Sequence, residues 1–186
     1  VVAAMREHAG SAEAQAAGCA RMLELLPVVE RAEWVPIRDA GGEAKKALLA
    51  RYRQFAGEGA ASAVLDALRG HASDARVQRL GLQTVAVVSR DLDVEKEIGD
   101  AGGVEAVVAA LRGHASDARV QECGCFALKN IQSKKGFRTE GAAHQREMRA
   151  RMRDAGAAPL VRLALGAFPS DAGVQRHGKD LLGKLR

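Results

Sequence analysis

Cys123 and Cys125 form a C-x-C pair, the arrangement by which thiolates bind soft metals or exchange disulfides. Helical geometry defeats that chemistry. At 3.6 residues per turn their side chains point about 200° apart, so they reach neither one ion nor each other. Cys19 falls in register with Cys125 in the repeat described below, which marks a position for a small buried residue. Three cysteines within helical patterns read as reduced thiols. His8, His71 and His114 also recur at one repeat position, as a metal array would. Neighbouring units lie about 10 Å apart, the usual helix packing distance, which exceeds twice a Zn–N bond of about 2 Å. These histidines are expected to be helix C-terminal cations favoured by the dipole. His144 and His177 are isolated.

The third feature is basic. From Lys129 to Arg153 there are eight Lys/Arg, at 129, 134, 135, 138, 146, 149, 151 and 153, against Glu140 and Glu147. Such runs are most often solvated faces. The alternative is a docking patch for an acidic peptide, a phospholipid head group or nucleic acid. Only Phe137 interleaves, so base stacking is poorly supported. The chain has no Walker loop, no H-E-x-x-H and no Ser-His-Asp pattern. Function must be argued from a site, and none is visible for catalysis. The expectation is a non-enzyme with no catalytic residue, no metal and no cofactor.

The elements that carry these residues are helices. The chain has 186 residues, 47% apolar but only 3% aromatic, with four prolines and a net charge of +5. Small residues and close-packed helices suit that composition, and alternating β-branched runs are almost absent. No apolar run approaches the roughly 18 residues that span a bilayer. The cytoplasm is the expected location, with the nucleus as the alternative.

Self-similarity organises the helices. The string ALRGHASDARVQ occurs at 67–78 and again at 110–121, an offset of 43. A degenerate copy at 154–178 keeps Ser170, Asp171, Val174, Gln175 and Gly178 in register with Ser116, Asp117, Val120, Gln121 and Gly124. A fourth copy opens the chain, with Ser11, Gln15 and Gly18 in the corresponding places. In the best copy, Val104, Val107, Val108 and Leu111 make one helical face. Gly113-His114-Ala115-Ser116 breaks that helix, and Ser116 or Asp117 can cap the next. Val120, Gly124, Ala127, Leu128 and Ile131 are its apolar stripe, and a shorter helix at 94–98 precedes the pair. Helices are predicted near 61–69, 74–89, 104–112, 117–131, 157–166 and 171–184. Gly18, Gly81, Gly124 and Gly178 cost about 1 kcal/mol each in mid-helix, which predicts close helix crossings there.

At residues 100–131, DAGGVEAVVAALRGHASDARVQECGCFALKNI, the chain resembles an armadillo repeat. The glycine turn, second helix, short loop and VQ…G…AL.NI third helix follow that family's consensus. The resemblance implies an all-α, right-handed solenoid of three-helix repeats. Its units fall at about 1–26, 42–90, 94–131 and 146–186, with insertions at 27–41 and 132–145. The first insertion holds Trp34, the sole tryptophan, and is followed at 42–55 by GEAKKALLARYRQF, a plausible helix; the second leads into a helix with Met148 and Met152 facing the core. The chain opens inside a unit and ends on a polar helix suited to a C-terminal cap, which suggests a fragment of a longer protein.

In armadillo relatives, a Trp and an Asn four residues later on the third helix hold an extended peptide in a concave groove. Here the matching pairs are Ala20/Glu24, Gln83/Val87, Phe126/Asn130 and Asp180/Lys184. Only Asn130 keeps the family residue, so the ladder that reads a nuclear-localisation peptide is absent. The resemblance implies a protein–protein interaction scaffold. Its expected site is Phe126, Asn130, Gln83 and Val87, flanked by Lys134, Lys135, Arg138, Arg146 and Arg149. The second reading is a module for nucleic acid or an anionic membrane surface through the basic insertion. The third is a regulatory segment of a larger signalling enzyme.

Overall fold

The computed structural model describes residues 1–26, 50, 54, 57–89, 92–132 and 139–185. Ten named helices run in order: α1 Val2–Glu7, α2 Ala12–Leu25, α3 Ala60–Gly70, α4 Ala75–Val88, α5 Leu92–Asp100, α6 Gly103–Gly113, α7 Ala118–Ile131, α8 Thr139–Asp154, α9 Ala157–Ala167 and α10 Ala172–Lys184. No strand occurs among the described residues. The six helices predicted from the pattern each agree within one residue at either end. Trp34, and the helix expected at 42–55 apart from residues 50 and 54, lie outside the described residues.

The repeated string folds the same way each time. Helices α3, α6 and α9 start after Gly59, Gly102 and Gly156, all at φ of 76–78°. Only glycine takes this left-handed conformation without a Cβ penalty. They end at His71, His114 and Phe168 with nearly equal dihedrals. A two-residue break follows, and Asp74, Asp117 and Asp171 then cap α4, α7 and α10 with their carboxylates. The aspartate, not the serine before it, is the cap. Ser11 does the same for α2, accepting from the Ala14 amide at 3.2 Å.

Each break hides two backbone carbonyls at the end of the preceding helix, where no intrahelical donor exists. The capping residue's amide reaches one of them, as Asp74 N does His71 O at 3.1 Å, and one glutamine per unit donates to both. Gln78 Nε2 donates to Leu68 O at 2.8 Å and His71 O at 3.0 Å. Gln15, Gln121 and Gln175 repeat this to Met5 and His8, Leu111 and His114, and Leu165 and Phe168. Gln15, Gln78 and Gln121 are at most 2% exposed.

Three residues after each glutamine comes the mid-helix glycine. A Cβ on Gly81 would lie 2.7 Å from Leu68 Cδ2, and one on Gly124 2.5 Å from Leu111 Cδ2. Met5 and Leu165 occupy the same place against Gly18 and Gly178. The close approach comes from one side chain of the unit's own preceding helix seated on bare backbone.

Helices α2, α4, α7 and α10 pack side by side in that order, and α1, α3, α6 and α9 do likewise. Between units, His71 Nε2 donates to Ala9 O and His114 Nε2 to Ala72 O, both at 2.8 Å. These histidines, expected only to face the helix dipole, each make a specific bond to the preceding unit. Arg69 reaches forward to Ala101 O at 2.5 Å, and Arg112 to Ala155 O at 3.3 Å. Leu82, Cys19 and Cys125 share one register position and are fully buried. Met148 and Met152 of α8 are also fully buried, as their spacing predicted.

Two outcomes follow for stability. Gly124→Leu should cost about 1–3 kcal/mol by overpacking against Leu111; an unchanged or raised Tm would refute the seat. Gln121→Leu should cost a comparable amount, because it strands the buried Leu111 carbonyl and removes one of two donors to that of His114. Chemical denaturation of the variant checks it, and a midpoint equal to the parent's would show the clamp to be idle.

Candidate partner-binding face

A helix packed on three sides shows one remaining stripe. On α7 the residues not fully buried are Ala118, Arg119, Glu122, Cys123, Phe126, Lys129 and Asn130. Helices α4 and α10 on its flanks, with α5, α6 and α9 behind, cover the other sides. Register equivalents on α4 and α10 extend the stripe across the row: Arg76 beside Arg119, Arg79 beside Glu122 and Arg176, Leu80 beside Cys123 and His177, and Gln83 beside Phe126 and Asp180.

The structure sorts the predicted residues into three groups. Gln83 and Phe126 lie on this face as neighbours in register, both partly buried. Asn130 lies there too, but its Nδ2 donates to Ala86 O of α4 at 2.6 Å. The side chain expected to hold a peptide backbone therefore holds the protein's own. Val87 requires correction. It is 0% exposed and belongs to the core, so it offers no atom to a partner. Of the flanking cations, Arg146 is exposed on α8, whereas Arg149 donates from Nε to Gln132 Oε1 at 3.1 Å. Lys134, Lys135 and Arg138 lie outside the described residues.

Phe126 packs against the next unit. Its ring stacks on His177 with centroids 4.7 Å apart and planes at 25°, and Lys129 Nζ lies 5.1 Å from its centroid. Lys129 also approaches His177 Nδ1 at 3.2 Å and Asp180 at 3.5 Å. This cluster escaped the sequence reading. Its signal was present, since Phe126 and Asp180 share a register position and His177 sits three residues before Asp180. Stacking across units, however, is visible only once α7 and α10 are side by side.

Burial, then Lys129 and Arg176, push the His177 imidazole from 6.5 down to about 4. Burial likewise lowers the Lys129 ammonium from its ordinary value, against the opposing pull of Asp180. Burial pushes the thiols of Cys19, Cys123 and Cys125 up to about 12, so all three stay protonated and poor nucleophiles. No helix among the described residues is long and apolar enough to cross a membrane.

No protein-family model, curated protein or solved structure matches the chain.

The His177 shift has a signed consequence. In the unfolded chain the imidazole takes its proton near 6.5, and in the folded chain only near 4. The unfolded state thus binds more protons between those values, and stability should fall as pH drops from 6.5 towards 4. His177→Phe keeps a ring over Phe126 and removes the titration. Its Tm should lose less than the parent's over that interval; parallel Tm profiles would show that His177 contributes nothing to acid sensitivity.

Proposed function

We propose that the chain is an armadillo-type right-handed solenoid that acts as a non-enzymatic protein–protein interaction scaffold. Its partner lies across the third helices α4, α7 and α10. One observation carries the reading: the same register positions stay open on adjacent packed helices, so a long partner meets the same kind of surface at each unit. The glycine turn, paired helices and repeated break agree with the armadillo pattern, and α5 and α8 stand in the place of its first helices. On this reading the contact residues are Gln83 and Phe126, with Asn130 keeping α7 on α4 and Arg146 at the edge. A cytoplasmic or nuclear location goes with such a role.

The second reading, a module for nucleic acid or an anionic membrane through the basic insertion, draws on exposed Arg146 and Arg153. A regulatory segment of a larger signalling enzyme would use the same face. Immobilised chain and its Gln83→Arg and Phe126→Ala variants should be compared for captured proteins by mass spectrometry, with helicity checked. A partner lost in both folded variants supports the scaffold. A partner kept by both, but lost with a steep salt slope when Lys134, Lys135, Arg138 and Arg146 are reversed, transfers the role to the basic insertion.

A further inference from the structure

Helix α8 rests on α5 through a side chain that can change its charge. A Cβ on Gly99 of α5 would lie 2.8 Å from Met148 Sδ and 3.2 Å from His144 Cε1, so both side chains of α8 sit on bare backbone. Met148 and Met152 are fully buried. The His144 side chain is 18% exposed, and its Nε2 is buried with no hydrogen bond among the described residues. Glu95 of α5 faces it with Oε1 at 3.9 Å, beyond hydrogen-bond reach. The remaining charges at the contact pair on their own helices. Lys96 meets Asp100 at 2.6 Å on α5, and Arg151 meets Glu147 at 3.0 Å on α8. Arg151 also donates to Gly99 O at 2.6 Å. A neutral imidazole suits this seat. A protonated one carries charge into it with no acceptor in contact among the described residues.

We propose that α8 is an acid-released latch, docked on α5 while His144 is neutral and freed when its imidazole takes a proton. The inference does not depend on the partner-face reading. Burial lowers the His144 imidazole from its ordinary 6.5, and Lys96 and Arg151 act in the same direction. Glu147 and Asp100 pull the other way and do not overcome burial. Once α8 leaves α5, the imidazole stands in water and takes its proton at the ordinary value. The freed state therefore binds more protons. Docking is complete above about pH 6.5 and weakens as the pH falls below it.

The other holds on α8 lack this sensitivity. Gln145 Nε2 donates to Gln132 O at 3.0 Å and Arg149 Nε to Gln132 Oε1 at 3.1 Å, and neither glutamine nor arginine titrates in this range. Release uncovers Met148 and Met152, so the chain presents that apolar surface only in acid.

Hydrogen exchange of the intact chain, followed peptide by peptide by mass spectrometry, tests the latch. Rates at about pH 7.5 and about pH 5 bracket the histidine range and are corrected for the intrinsic pH dependence of exchange. Peptides from α7 and α10, which hold Phe126 and His177, report general loosening. In the parent, protection across 142–152 should fall at least about threefold more than in those peptides, with a one-proton slope. His144→Gln keeps a polar side chain without the titration, and His144→Leu keeps an apolar one. A variant that docks α8 should hold its protection level across the interval. Equal change in α8 and the reference peptides of the parent overturns the proposal. So does protection of α8 that rises in acid, which would make Glu95 and His144 a tightening ion pair. An acid loss retained by a docked His144 variant also overturns it, and its removal by Glu95→Gln would make the carboxyl the sensor. Where both His144 variants leave α8 open at every pH, the parent's profile decides. A one-proton transition centred below 6.5 supports the latch, and any other form overturns it.

Discussion

A helix that stops abruptly beneath another helix leaves end carbonyls that the helix's own amides cannot reach. Everything repetitive in this chain answers that constraint. The glutamine four residues after each cap places one amide against two such carbonyls, in all four units. With both satisfied, the break can be short, and the two helices of a unit are held at a fixed crossing. A fixed crossing lets Leu68 or Leu111 sit on bare backbone, which is why a glycine persists three residues further on despite its cost in helix propensity. Cap, clamp and seat thus form one device within about eight residues of sequence.

Units join by a second set of bonds that run both ways along the row. Histidine at the break reaches back to the preceding unit's alanine carbonyl, and arginine two residues earlier reaches forward to the next glycine turn. Further in, Asn130 ties α7 to α4, and Phe126 with Lys129 ties α7 to α10. Each link is partly exposed and modest alone. Together they hold α4, α7 and α10 side by side in one register.

The open face carries its charge unevenly for a physical reason. Glu122 and Asp180 on it pair with Arg119 and Lys129, whereas Arg76, Arg79 and Arg176 make no ion pair among the described residues. Buried thiols and a neutral His177 add no charge of their own. The surface therefore sets exposed arginines around a partly buried apolar floor of Leu80, Cys123 and Phe126.

Much of this was legible in the residues alone. A twelve-residue string repeated unchanged must find the same local solution twice, so helix boundaries, caps and the buried stripe followed from spacing. Buried methionines at 148 and 152 followed in the same way from a four-residue interval. Side chains that act across units did not. Val87 reads as a groove residue by register, yet α4 is sandwiched between α2 and α7, and that position turns inward. Asn130 reads as a free amide, yet Ala86 lies within its reach. His177 gave no sign of its low pKa, because the causes, burial with Lys129 and Arg176, depend on how α10 settles on α7. Local pattern encodes what a residue does within its own turn of helix. Which groups meet between units is decided by packing, where distance in space no longer follows distance along the chain.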